Sequence, residues 1–229
     1  MKEICGLIKK DMLNLSSYKI SLLVMFVCVL AIGGAGEEMW KYIPIVMTTM
    51  TGMIALSTFS YDENAKSDEY VLSLPVNKKE MVIEKYILVI SMALIGGIIG
   101  FIITPIFVNI LNNIRADNII NVDYNSLLYT TLGGIFGISL ILTIQIPSIY
   151  KWGAEKGRIQ MFILFFIIIL LALGIAYLVT HNLGININEN AINAFFQKFG
   201  IAIVICLLIF MYYISYRISY KVFKNKSNI

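Results

Sequence analysis

Charge is scarce in this sequence. Asp, Glu, Lys and Arg make up only 14% of its 229 residues, against 59% hydrophobic residues. A soluble domain carries about 25% charged residues, and no soluble core of this size hides so much apolar surface. A water-soluble globular protein is therefore excluded. The basic residues stand at the ends of apolar runs, so the net charge of +4 is not the footprint of a nucleic-acid binder. Histidine is rarer still, with His181 alone. Cys5, Cys28 and Cys206 are odd in number and show no CxxC or Cys/His spacing, which argues against a disulfide framework and a metal site. All three read as small apolar side chains. The phosphate-binding pattern GxxxxGK[ST] is absent. Its nearest fragment, Gly153 to Gly157, lacks the spacing, so no nucleotide or other cofactor is expected on this chain. Within the apolar runs no acid or base falls near mid-span. A charge there costs about 2.5–3.5 kcal/mol and usually marks an ion or proton path, so a proton- or sodium-coupled carrier is disfavoured.

What is present is a succession of apolar runs, each close to the ~20 residues that cross a bilayer. They are centred on residues 18–33, 41–60, 85–108, 127–147, 161–180 and 199–216. The first could be a signal peptide, with small residues following at 33–36, but its long patterned lead and the five later runs favour a span. Before it, residues 1–17 place Ile4, Leu7, Ile8, Met12 and Leu15 at helical spacing, with Lys2, Lys9, Lys10 and Asp11 largely off that face. That predicts a basic amphipathic helix in the headgroup layer. The expected fold is all-α: one polytopic membrane domain over 1–229 with six transmembrane helices.

Lys and Arg counts orient the spans. With the N-terminus inside, fifteen basic residues fall on the inner side, and only Lys41, Arg115 and Lys198 on the outer side. Aromatic belts agree: Trp40 and Tyr42 outside, Tyr150, Trp152 and Tyr216 inside. Both termini are then cytoplasmic, and so is the loop 61–84.

Polar side chains within the spans are modest. Thr48, Thr51, Ser57, Thr143 and Gln145 are candidates for a mildly polar substrate path, although hydroxyls in membrane helices commonly bond their own backbone. Gly96 with Gly100, and Gly133 with Gly137, form two GxxxG patterns that suit close helix packing. Pro105 and Pro147 are expected to kink span ends. Gly137-Ile138-Ser139-Leu140 resembles the serine motif of rhomboid proteases without its final glycine. A serine nucleophile needs a base in reach, and His181 is the single candidate. An intramembrane serine protease is thus an alternative reading, and a non-transporting immunity or scaffold protein is a third.

The stretch Tyr61–Lys85 stands apart, because it holds ten of the chain's Lys, Arg, Asp and Glu residues. Leu74-Pro75 forces an extended step. Asn77 then caps a new helix with Glu80 at its third position, as in a capping box, and Val76 and Met81 are placed to staple it. That helix outruns the bilayer, so its first turns project from it. Upstream, Asp62–Leu74 suits a short acidic helix, marginal unless docked on something. The headgroups or the chain's own bundle are the alternative docking places, but an anionic leaflet suits an acidic segment poorly and a groove on a soluble partner suits it better.

This run resembles the loop after the second span of ABC-2-type permeases, the membrane subunits of a class of bacterial ABC exporters. It is most similar to the short permeases of phenol-soluble-modulin export and bacitracin resistance. The matching features are Tyr61-Asp62-Glu63, Asp68 with Tyr70, Ser73-Leu74-Pro75-Val76, Lys85-Tyr86, and PSIYKWGAEKGR over Pro147–Arg158. The resemblance implies a permease in the bacterial cell membrane, not itself an enzyme. Two ATP-binding subunits carrying ATP and Mg would be its partners, along with a second permease copy or a sister permease. It also implies a coupling helix near Asp62–Leu74, with Tyr61, Asp62, Glu63, Asp68, Glu69 and Tyr70 at the ATPase. An amphipathic peptide, lipid or hydrophobic drug would be the cargo.

Overall fold

The computed structural model describes residues 2–34, 36, 38–72, 76–114, 120–181 and 189–226, without the side chains of 2, 3, 68, 69, 72, 158, 161, 164, 165, 168, 172, 175–181, 189–201 and 226. Helices make up almost all of it, and the described residues contain no strand. In order they are α1 (Lys2–Leu15), α2 (Lys19–Gly34), α3 (Ile43–Asn64), α4 (Ser67–Leu72), α5 (Lys78–Ile114), α6 (Tyr124–Trp152), α7 (Ala154–His181) and α8 (Glu189–Lys226). The chain is an all-α polytopic membrane protein. Five described helical stretches are long and apolar enough to cross a membrane: Ile4–Gly34, Met39–Asn64, Lys78–Ile114, Tyr124–Trp152 and Ala202–Asn225. The fifth expected span, 161–180, falls on α7, which is helical over 28 residues but only partly described in its side chains.

The helices run past the ends that hydropathy sets. α3 continues four residues beyond Ser60 into the charged stretch, and α5 reaches 37 residues. At 1.5 Å per residue α5 is about 55 Å long, against a bilayer core of about 30 Å. α6 passes through Pro147 to Trp152, and α5 passes through Pro105. A 3-10 turn at Ser16–Tyr18 joins α1 directly to α2.

Two compact units divide the chain near residue 142. In the first, α3 lies along α5, and α1 packs on both. Glycine makes the α3–α5 approach possible. A Cβ on Gly100 would stand 2.7 Å from Pro44 Cα, and one on Gly96 would stand 2.9 Å from the Met47 carbonyl oxygen. At one end Val29, Trp40, Ile43, Met47, Val108 and Leu127 form a buried cluster. Trp40 is a core residue of this cluster, while Tyr42 faces outward. Nearby, the Asn112 carboxamide accepts from the Ile120 N–H and donates to the Ile120 carbonyl, both at 2.9 Å, and so clasps the chain leading into α6.

In the second unit α6 and α7 meet at one residue, Gly153, with φ 90°, a left-handed corner that glycine adopts at least cost. Its N–H caps the Ile149 carbonyl at 2.8 Å. Gly157 packs on Ile149, where a Cβ would come within 2.6 Å of Cγ1. The PSIYKWGAEKGR segment is thus a tight helical corner. Ser215 of α8 donates to the Thr143 carbonyl of α6 at 2.6 Å, and Tyr150 packs against Phe223.

Candidate coupling site at the α1–α3–α5 junction

The end of α3 builds the site. Ala65 and Lys66 stop the helix: the Ala65 N–H returns to the Tyr61 carbonyl at 2.9 Å, and Lys66 takes a positive φ of 48°. Ser67 then opens α4, and its hydroxyl donates to Asp62 Oδ1 at 2.6 Å. One carboxylate thus ties the two helices across their turn. α4 is a six-residue helix that buries Val71 and leaves Tyr70 69% exposed. Ser73-Leu74-Pro75, and the side chains of Asp68 and Glu69, lie outside the described residues. Beyond them one arm of the capping box forms, the Asn77 N–H donating to Glu80 Oε2 at 2.9 Å, while the Glu80 N–H donates to the Asn77 backbone carbonyl, also at 2.9 Å.

Asp62 turns inward. Only 6% exposed, it pairs with Lys10 of α1, Nζ to Oδ1 at 2.6 Å, and with Lys85 of α5. Lys85 also pairs with Asp11, which is fully buried on α1, and its ammonium stands 5.1 Å from the centre of the Phe59 ring. Glu84, 2% exposed, lies in hydrogen-bond reach of Asp11. Five ionisable side chains from three helices therefore share one cluster, all buried except the half-buried Lys10. Burying ions is expensive, and the cost is offset only when each charge is paired and hydrogen-bonded. Beside the cluster, Tyr18 and Tyr61 meet edge to face at 5.7 Å.

The charge of Asp11 assigns it to the polar face of α1, yet it follows Leu7 and precedes Leu15 at intervals of four. All three point inward, so α1 packs on α3 and α5 through a stripe with an acid at its centre. The spacing carried that signal. Its partner Lys85, seventy-four residues on, did not stand out, because a lysine at a span end is ordinary in membrane proteins.

A family model described as ABC-2 family transporter protein matches residues 6–224. The chain belongs to the ABC-2 transporter family. It is a membrane permease component of an ABC transporter. No curated protein and no solved structure matches it.

Within the permease the remaining sequence candidates separate. Glu63 and Tyr70 are exposed, Tyr61 is half-buried and Asp62 is enclosed. The hydroxyls of Thr51 and Ser57 bond carbonyls of α3 itself, at 3.0 Å and 2.6 Å, as does that of the buried Thr48. Thr51 lies against Gly96 inside the α3–α5 contact. Thr143 and Gln145 belong to the second unit, both buried. The glycine pairs divide as well. Gly96 and Gly100 hold α5 to α3, whereas a Cβ on Gly133 or Gly137 would meet nothing within 4 Å. The packing glycine of α6 is Gly134, whose Cβ would stand 3.0 Å from Ile45 Cα. Ser139 is 3% exposed, and no hydrogen bond joins it to a base among the described residues. The His181 side chain lies outside them.

Proposed function

We propose that this permease exports an amphipathic peptide, lipid or hydrophobic drug, driven by a separate ATP-binding subunit that seats against the segment 61–84. The cluster around Lys85 carries this reading. Any displacement of the α3–α4 turn acts on Asp62, and through Lys10 and Lys85 it reaches α1 and α5 together. Glu63 and Tyr70, exposed beside it, supply the outward face, with Asp68 and Glu69 on the same short helix. Tyr61 and Asp62 hold that face in place. Two ATPase subunits with ATP and Mg, and two permeases, identical or sister chains, would complete the transporter. Six spans, with both termini on the cytoplasmic side of a bacterial cell membrane, fit the distribution of Lys and Arg.

The test is co-purification of the permease with its ATPase. Glu63→Lys with Tyr70→Ala should lose the partner while the permease remains folded. Retention of the partner, with normal stimulation of ATP hydrolysis, would overturn the assignment of 61–84.

A further inference from the structure

The buried cluster does not balance. Lys10 and Lys85 bring two positive charges, and Asp11, Asp62 and Glu84 bring three negative ones. Its hydrogen bonds are uneven in the same place. Asp62 Oδ1 accepts from Lys10 and Ser67, and Asp62 Oδ2 and Asp11 Oδ2 each contact Lys85. Two buried oxygens remain without a hydrogen-bond donor, Asp11 Oδ1 and Glu84 Oε1. They belong to carboxyls that lie within hydrogen-bond reach of each other. Lys85 is engaged by two carboxylates with a face toward the Phe59 ring, and Lys10 approaches Asp11 Oδ1 only to 3.4 Å.

Two bare carboxylates at such range repel, and one proton turns the repulsion into a hydrogen bond. We propose that Asp11 and Glu84 form a proton-binding site, in which one proton taken from water makes Glu84 a carboxylic acid whose O–H donates to Asp11. The proton is placed on Glu84 because Asp11 already accepts from the Lys85 ammonium through Oδ2. Charge then balances at two against two, and the shared proton adds a second link between α1 and α5 beside the Lys85–Asp11 pair. The charged groups that face this pair are Lys10 from α1, Lys85 from α5 and, across Lys85, Asp62 from α3. The site does not depend on what docks at 61–84.

A proton held by the folded state and not by the unfolded state stabilises the fold at lower pH, and that contribution is lost as pH rises. The intact permease in detergent should show an infrared band of a protonated carboxyl near neutral pH, and [13C]glutamate labelling should shift it. The band should disappear in Glu84→Gln, whose amide N–H donates to Asp11 without titrating. The unfolding temperature of the wild type should fall on going from neutral to alkaline pH, while that of Glu84→Gln stays flat. A wild-type protein with no label-sensitive band overturns the proposal even if the variant fails to fold. So does a variant that keeps the band, or one whose unfolding follows pH as the wild type does.

Discussion

Lys85 shares one ammonium between two carboxylates, and that sharing sets what its loss should cost. Replacing it with Met leaves Asp11 and Asp62 facing each other in a buried site. Removing one partner of a buried ion pair typically costs about 3–5 kcal/mol. Lys85→Met should therefore unfold at markedly lower temperature in detergent, and Asp11→Asn added to it should recover part of the loss. Unchanged unfolding of the single variant would show that the cluster is not closed in solution. The two sides of this site differed in legibility. Asp62 was singled out because it sits in a conspicuous charged loop, although its charge faces into the chain rather than toward a partner. Asp11 was hidden by its type: an acid is assigned to the polar face until its spacing from Leu7 and Leu15 is given more weight than its charge.

Close approach between helices depends on which glycines meet a neighbour, and a GxxxG pattern does not say which do. Gly100→Val should separate α3 from α5, because its first added carbon already meets the Pro44 backbone at 2.7 Å. Overpacking of this kind usually costs about 1–3 kcal/mol. Gly133→Ala meets open space and should change stability within about 0.5 kcal/mol, as surface substitutions do. A comparison of their unfolding temperatures tests the distinction directly. Gly153→Ala belongs with the costly changes: φ 90° strains any side chain, at about 1–2 kcal/mol, and the corner between α6 and α7 has no second residue to absorb it. Helix starts were more legible than packing faces. Asn77 and Glu80 announce the start of α5, because capping is local chemistry between residues three apart. The burial of Trp40 could not be read from its own segment, because it comes from Val29, Val108 and Leu127, distant in sequence.

Over the whole molecule, hydropathy was sufficient to read an all-α membrane protein, and the family match over 6–224 agrees. The boundaries were not readable in this way, since a helix does not stop where its apolar run stops. α8 extends about ten residues beyond the expected sixth span at each end. Orientation is tested with the native cysteines. Cys5, Cys28 and Cys206 are all exposed. With Cys28 and Cys206 changed to Ser, a membrane-impermeant maleimide should label Cys5 in inverted vesicles and leave right-side-out vesicles unlabelled. The opposite pattern would reverse the topology.

The cluster at the α1–α3–α5 junction also orders the chain's own synthesis. Asp11 is made first, Asp62 follows, and Lys85 emerges seventy-four residues after Asp11. At ribosomal rates of ~5–20 residues per second that interval is roughly 4–15 s. Throughout it the N-terminal helix carries an acid on its inward stripe with no Lys85 to receive it. α1 therefore cannot take its final seat until the start of α5 has left the ribosome. A nascent chain arrested before Lys85 should leave α1 open to protease, and one arrested well beyond it should protect α1.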